Sequence, residues 1–101
     1  MSNGTRNQLL SNVISIVDEL ENEDIDIFDW LNKQLNIEVL MYNTDKELVG
    51  AEILCCCGGP DIRVYCGRFD YVEGNWGRDN IIRNFNNDRL FDFVYELYGE
   101  K

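Results

Sequence analysis

The spacing of apolar residues changes once along the chain, and this change constrains the fold more than any other feature. Over residues 5–22, apolar residues recur every three or four positions, which is the period of an amphipathic helix. From Asn36 onward the period becomes two, as in a strand with one buried face. Helices that precede and follow a block of strands are typical of the α+β class.

Three segments are predicted to be helical. The first, residues 5–22, carries a broad apolar stripe formed by Leu9, Leu10, Val13, Ile16, Val17 and Leu20. The second is a short helix over residues 27–35, with one side formed by Phe28, Leu31 and Leu35. The third covers residues 87–98, and its predicted inward side is Leu90, Phe91, Val94, Leu97 and Tyr98. Gly99 is expected to end this last helix.

Four strands are predicted between the second and third helices. They cover residues 36–42, 48–57, 62–66 and 69–76. The short connections favour a four-stranded antiparallel meander with the helices on one face. Residues 78–86 are compatible with a loop, an irregular strand or an early helical turn. With 101 residues, the chain suits a single domain spanning residues 1–101, with two N-terminal helices and one C-terminal helix.

Residues 54–61 read LCCCGGPD and contain three of the four cysteines. Neighbouring side chains of a strand point to opposite faces, so Cys55 and Cys57 are predicted to share an inner face with Cys66. The predicted cross-strand pairs are Cys57–Ile62, Cys55–Val64 and Ile53–Cys66. Reduced cysteine behaves as a small buried hydrophobe. Core packing is therefore the preferred interpretation of Cys55, Cys57 and Cys66, and thiol redox chemistry is the less favoured alternative.

Catalytic and metal-binding patterns are missing from the sequence. It contains no histidine and no C-x-x-C spacing, which removes the usual general base and the usual pattern of a thiolate zinc site. Gly58-Gly59-Pro60 precedes a predicted strand, so no helix N-terminus is offered to a phosphate. We therefore expect a protein that is not an enzyme, with no catalytic residue, no metal and no cofactor.

The chain is strongly acidic, with 19 acidic and nine basic residues, a formal net charge of −10 and a pI of about 4.2. This charge repels nucleic acid and anionic membranes and attracts basic surfaces. Solubility is the alternative explanation. The sequence shows no signal peptide and no run of about 20 apolar residues, so we expect a cytoplasmic location.

Seven carboxylates fall within 12 residues, and no basic residue occurs between Arg6 and Lys33. They are Asp18, Glu19, Glu21, Glu23, Asp24, Asp26 and Asp29. Blocks of like charge often serve as interaction surfaces. The alternative is a solvated helix end. These seven residues are the first candidate partner-binding site.

The outer face of the predicted sheet is the second candidate site. Its predicted apolar members are Leu40, Tyr42, Leu54, Cys56 and Tyr65, mixed with Glu38, Glu52 and Arg63. If no helix covers this side, the face is an apolar and acidic patch suited to a partner or to a homodimer. Of its residues, Leu40, Tyr42 and Tyr65 are the strongest partner-binding candidates.

Several short motifs resemble a group of small acidic proteins carried by phages and mobile elements of gut Firmicutes. The resemblance covers roughly residues 39–98. It rests on residues 48–54 (LVGAEIL), Gly58-Gly59-Pro60, residues 72–77 (VEGNWG) and the closing Glu96-Leu97-Tyr98. Accessory proteins of this kind are often inhibitors of bacterial defence, including anti-CRISPR proteins, and some mimic the charge of DNA. The resemblance therefore implies a host cell as the setting and brings no catalytic residues.

Three hypotheses follow for the function. The first is a non-enzymatic inhibitor that binds the basic, nucleic-acid-binding surface of a host defence complex, such as a CRISPR effector, and acts as an acidic nucleic-acid mimic without binding nucleic acid itself. The second is a structural or housekeeping phage protein that dimerises through its sheet. The third is a small-molecule binder with a pocket near Trp30, Trp76 and Tyr98. Trp76 is also predicted to pack, with Val72, against the C-terminal helix.

Overall fold

The computed structural model describes residues 2–99, with side chains from Arg6 onward. Its three helices are α1 (Ser2–Glu21), α2 (Ile27–Asn32) and α3 (Asp88–Tyr98). Its five strands are β1 (Asn36–Tyr42), β2 (Leu48–Cys56), β3 (Asp61–Gly67), β4 (Tyr71–Trp76) and β5 (Asp79–Asn84). The strands form one antiparallel sheet in the order β1-β2-β3-β4-β5. The α+β class is therefore confirmed.

The sheet has five strands, so the predicted four-stranded meander was one strand short. The additional strand is β5, which lies in the segment left open between a loop, a strand and a helical turn. Its sequence, DNIIRN, is mostly polar, and only Ile81 is buried. A two-residue turn, Gly77-Arg78, returns the chain so that β5 pairs with β4 along its whole length. Backbone pairing with β4, rather than apolar alternation, thus defines this strand.

One face of the sheet, the inner face, supports the helices. α1 lies against β4 and β5, whereas α3 lies against β2 and β3. Gly74 allows the close approach of α1, because a Cβ atom there would lie 2.7 Å from Val13 Cγ2 and 2.8 Å from Leu9 Cδ1. The inner-face residues of the central strands and the apolar sides of the helices form one hydrophobic core cluster. The prediction that Trp76 packs against the C-terminal helix was wrong, since α1 is the helix that covers β4.

The apolar stripe of α1 is confirmed, because all six of its residues belong to the core or pack against it. The side of α2 formed by Phe28, Leu31 and Leu35 is not the side that is most buried. Ile27 and Trp30 are buried, whereas Phe28 is 57% exposed. Leu35 lies beyond the end of the six-residue α2 and is also largely exposed. α2 therefore presents only one turn to the core.

α3 buries less of its predicted side than expected. Leu90 and Val94 are fully buried and Phe91 packs against the core, but Leu97 and Tyr98 are exposed. Both of these residues line a shallow depression between α2 and α3 instead of entering the core.

None of the helices within residues 2–99 has the length and hydrophobicity that a membrane span requires.

Asn87 joins the end of α1 to the start of α3. Its side chain caps α3 by accepting a hydrogen bond from the backbone N–H of Arg89, at 3.0 Å. Its Nδ2 donates to the carbonyl oxygen of Leu20, at 2.6 Å, and the residue is buried. Through these two hydrogen bonds, Asn87 ties the C-terminal end of α1 to the start of α3. A buried amide that satisfies both helix ends is costly to replace.

Candidate functional site

The seven carboxylates predicted to form a site lie where α1 ends and α2 begins, and we call this segment (residues 18–29) the acidic turn. All seven are exposed. The backbone between the helices is held by hydrogen bonds from the N–H of Asn22 to the carbonyl of Glu19 and from the N–H of Ile25 to the carbonyl of Asn22. All seven carboxylates are therefore exposed, three of them in the connection and four in the adjoining ends of α1 and α2.

Four of these carboxylates also support the fold. Glu19 Oε1 accepts a hydrogen bond from Trp30 Nε1 at 3.0 Å, and Glu21 Oε2 accepts one from the backbone N–H of Asn86 at 3.0 Å. Asp26 caps α2 by accepting from the N–H of Asp29. Asp29 lies 3.3 Å from Lys33 Nζ. These contacts restrict the positions of the carboxylates without removing their charge.

A depression of about 380 Å³ lies beside the acidic turn and is lined in part by Glu19, Asp26 and Trp30. Tyr98 lines a different depression, on the α2–α3 side. Trp76 lies instead near the Gly59 turn, where an added Cβ would be 3.4 Å from its indole nitrogen. The structure thus does not join Trp30, Trp76 and Tyr98 around one cavity, as the small-molecule hypothesis expected.

The outer face of the sheet is open in the described part of the chain, because α1 and α3, the helices that contact the sheet, both lie on the inner face. Val39, Met41 and Ile82 are accordingly 42%, 38% and 47% exposed. The outer face predicted from the sequence is therefore available to solvent, although its membership differs from the prediction.

Bulges in β1 and β2 change which residues face outward. Ile37 pairs with Ile53 and Val39 with Glu52, so Glu38 is an inserted residue. From Val39 to Met41, each side chain lies on the face opposite to the one that strict alternation from Ile37 predicts. The reason is that a one-residue shift moves each side chain to the other face of the sheet. Leu40 consequently pairs with Ala51 and packs against the core. The prediction of Leu40 as an outer-face residue was wrong.

The other predicted outer-face residues have mixed outcomes. Tyr65 lies on the outer face, paired with Glu52 and Tyr71. Tyr42 pairs with Leu48 at the end of β1 and is 46% exposed. Leu54 pairs with outward-facing Arg63 but is nearly buried. Cys56 pairs with inward-facing Ile62 and packs against the core, so its predicted outward orientation was wrong.

An aromatic groove crosses the outer face near the β3–β4 turn. Tyr65 and Tyr71 are stacked there, with ring centroids 4.5 Å apart and planes inclined by 24°. The groove has a volume of about 410 Å³. We call it the tyrosine groove, and its lining includes Met41, Tyr65, Arg68, Phe69 and Tyr71. Of these residues only Tyr65 was a candidate from the sequence. The signal that finds Tyr71 is its position in the hairpin, directly opposite Tyr65.

Two carboxylates, those of Glu52 and Glu73, lie near the stacked tyrosines of the tyrosine groove. Arg63 Nε lies 3.0 Å from Glu38 and 3.6 Å from Glu52, and the Glu38 hydrogen bond raises the pKa of Arg63. Burial, followed by the negative charges of Glu52 and Glu73, raises the pKa of Tyr65 to about 12. The same causes raise the pKa of Tyr71. The raised pKa values keep both tyrosines protonated well above neutral pH.

The cysteine register differs from the predicted one. Ala51 pairs with Cys66, Ile53 with Val64 and Cys56 with Ile62, and the pairing is irregular at Cys55. All four cysteines are free thiols. Burial of Cys66 is confirmed and Cys55 is half-buried, but Cys57 is exposed, contrary to prediction. Within residues 2–99, no group of three or more Cys, Asp or Glu side chains is placed to hold a metal ion.

We predict unequal alkylation of the thiols. Burial, followed by the charge of Asp70, raises the pKa of Cys66 to about 12. Burial, followed by the charge of Glu19, also raises the pKa of Cys55 to about 12. Because the thiolate is the reactive form, iodoacetamide at pH 8 should modify exposed Cys57 at least about tenfold faster than Cys66 in the folded protein. Mass spectrometry of timed digests measures this ratio. Urea-unfolded protein, in which the rates should converge, is the control, and equal rates in the folded protein would contradict the prediction.

Comparisons with protein-family models, with curated proteins and with solved structures find no match for this chain. The resemblance to small acidic phage proteins therefore stays a prediction. The function is inferred below from the two surfaces that the structure describes, the acidic turn and the outer face of the sheet.

Proposed function

We propose that the protein is a non-enzymatic inhibitor that acts in the cytoplasm of a host bacterium and binds a basic, nucleic-acid-binding surface. The partner class is a host defence complex such as a CRISPR effector. One observation carries this proposal: the structure exposes all seven carboxylates of the acidic turn, which spans the last turn of α1, the connection and the first turn of α2. Lys33 is the nearest cation after this run, and the chain as a whole has a formal net charge of −10.

The positions of the carboxylates favour binding as well as solubility. Glu19, Glu21 and Asp26 are each held by a hydrogen bond to another part of the chain. Groups that are already positioned lose less conformational entropy when a partner binds. Carboxylates held in this way can form ion pairs with lysine and arginine side chains that otherwise bind phosphates. The acidic turn would then attract the partner through its summed field, so association should be sensitive to salt.

A homodimer formed through the sheet is the second candidate. It is favoured by the open outer face, where Val39 and Met41 of β1 are both exposed. Exposed apolar side chains grouped on one face often mark an interface. The net charge opposes this candidate, because two copies would bring a formal charge of −10 each into one assembly.

The experiment uses the three carboxylates of the acidic turn for which the structure shows no hydrogen bond or ion pair within the described residues. Asp18→Asn, Glu23→Gln and Asp24→Asn are combined in one variant. Substitution of Glu19, Glu21 or Asp26 would also disturb the fold, since each accepts a structural hydrogen bond. The control variant, Asp45→Asn with Asp92→Asn and Glu96→Gln, removes the same charge from exposed positions elsewhere.

Both variants and the parent are tested against a panel of purified, guide-loaded CRISPR nucleases from Firmicutes. The readout is displacement of target DNA at two salt concentrations. We expect the parent to displace DNA from at least one nuclease, and the acidic-turn variant to be about tenfold weaker and less sensitive to salt. The control should retain most of the parent's inhibition. Absence of displacement by the parent, or equal loss in both variants, would reject the acidic turn as the inhibitory site.

A further inference from the structure

We propose that the tyrosine groove is a second docking site, which accepts an apolar side chain from a partner segment whose neighbouring residues are basic. The groove lies on the outer face, and the helices that carry the acidic turn lie on the other side of the sheet. The two surfaces are therefore separate, and the groove does not depend on the function proposed above.

The lining of the groove indicates an apolar occupant. Phe69 is 68% exposed and Met41 is 38% exposed, although both are large apolar side chains. Tyr65 and Tyr71 contribute stacked ring faces rather than free charges. Covering such side chains removes apolar surface from water and is favourable. Aromatic and methionine side chains are also the types enriched at protein interfaces.

The groove exists before any partner binds. The Tyr65 ring is held by stacking on Tyr71 and by a hydrogen bond with Glu52. The adjoining turn is held by a hydrogen bond from the N–H of Gly67 to Asp70 Oδ1, at 3.1 Å, and by one from the N–H of Arg68 to the carbonyl of Val49. A preformed groove loses little conformational entropy on binding.

The charges around the groove indicate basic neighbours for the apolar side chain. Glu38, Glu52 and Glu73 lie on the outer face, and the charges of Glu52 and Glu73 act on both tyrosines. Arg63 is already engaged by Glu38 and Glu52. Arg68 lines the groove, so Arg63 and Arg68 together offset two of the three carboxylates and leave a net negative charge. A basic segment is therefore complementary to this face.

The same charges disfavour a second copy of this chain as the occupant. In a twofold symmetric dimer the same patch meets itself, so two copies of a face with net negative charge would be brought together. Like charges brought together at an interface are costly. A basic partner segment avoids this repulsion and gains attraction from the same residues.

The test selects random 12-residue peptides displayed on phage against the immobilised full chain. Affinities of the enriched peptides are then measured by fluorescence anisotropy at two salt concentrations. Phe69→Ser and Met41→Gln remove exposed lining residues at little risk to the fold, and Phe28→Ser is the matched control, an exposed phenylalanine on α2. Glu73→Gln tests the charge requirement, with Glu96→Gln on α3 as its control, because Glu52 also holds Tyr65 and contacts Arg63. Circular dichroism verifies that each variant is folded.

We expect enriched peptides in which lysine or arginine flanks a leucine, methionine, phenylalanine or tryptophan. Their Kd should rise at least about tenfold in Phe69→Ser or Met41→Gln and less than about twofold in Phe28→Ser. Glu73→Gln should bind more weakly and with less dependence on salt than Glu96→Gln. The variant Asp18→Asn, Glu23→Gln, Asp24→Asn should bind these peptides like the parent, which separates this proposal from the inhibitory one.

Four results would overturn the proposal. The first is a selection that enriches no peptide, and the second is enrichment of peptides without basic residues. The third is binding that Phe69→Ser and Met41→Gln leave unchanged. The fourth is self-association in sedimentation velocity that Phe69→Ser abolishes, because it would assign the groove to a second copy of this chain.

Discussion

Replacement of Trp30 by alanine should lower the free energy of unfolding by about 3–5 kcal/mol, the range for removal of a large buried aromatic side chain. Trp30 is 5% exposed and belongs to the core cluster. It also contributes half of the buried pair on α2, which spans only six residues. A helix of that length is not stable without tertiary packing. Loss of Trp30 should therefore release α2 from the core and leave the acidic turn without its support.

Equilibrium urea unfolding measures this change, and Trp30→Phe provides the control. Phenylalanine keeps most of the apolar surface but lacks the indole N–H that donates to Glu19 Oε1. Loss of that hydrogen bond should cost about 1 kcal/mol. Glu19→Ala, which removes the acceptor, completes a double-mutant cycle that isolates the contact between the two side chains. A loss of less than about 1 kcal/mol in Trp30→Ala would show that the indole packing does not hold α2.

Local patterns in the sequence account for much of the fold. The apolar stripe of α1 and the end of α3 at Gly99 depend on residues a few positions apart, so their spacing is directly visible. The change of period at Asn36 correctly placed the first strand after the second helix. These features are confirmed because neighbouring residues determine them.

Features that depend on strand pairing were predicted less well. The inserted residue at Glu38 exchanges the faces of β1 and turns Leu40 toward the core. An irregularity at Cys55 does the same for Cys56. A bulge is defined by two residues of one strand opposing one residue of the next. A strict alternation of faces along one strand cannot show such an insertion.

The two candidate surfaces also differ in how far the sequence alone reveals them. Exposure of the acidic turn follows from the high cost of burying unpaired charges, and the structure exposes all seven of the predicted carboxylates. The tyrosine groove combines Met41 of β1 with Tyr65 of β3, Tyr71 of β4 and Phe69 of the turn between them. These residues come together only when β1 to β4 are in register. The hairpin register is what reveals Tyr71 as the partner of Tyr65.

Gly67 controls that hairpin, and Gly67→Ala should lower the free energy of unfolding by at least about 3 kcal/mol. Its φ angle is +118°, a conformation that side chains rarely allow. An added Cβ would also lie 2.6 Å from Gly50 Cα and would collide with the carbonyl oxygen of Val49. Both obstacles are backbone atoms of the neighbouring strand, so no rotamer change relieves them. Relief requires separation of β2 from the end of β3.

Gly77→Ala is the matched control, because Gly77 also has a positive φ, of +62°, in a turn between two strands. No atom lies within 4 Å of a Cβ added there, and a φ near +60° is accessible to other residues at a cost of about 1 kcal/mol. Thermal and urea unfolding of both variants distinguish the cost of the clash with β2 from the cost of the positive φ angle. Equal losses would show that contact with β2 contributes nothing. A larger loss in Gly67→Ala should be accompanied by weaker binding of basic peptides to the tyrosine groove, since the Gly67 turn supports Phe69 and Tyr71.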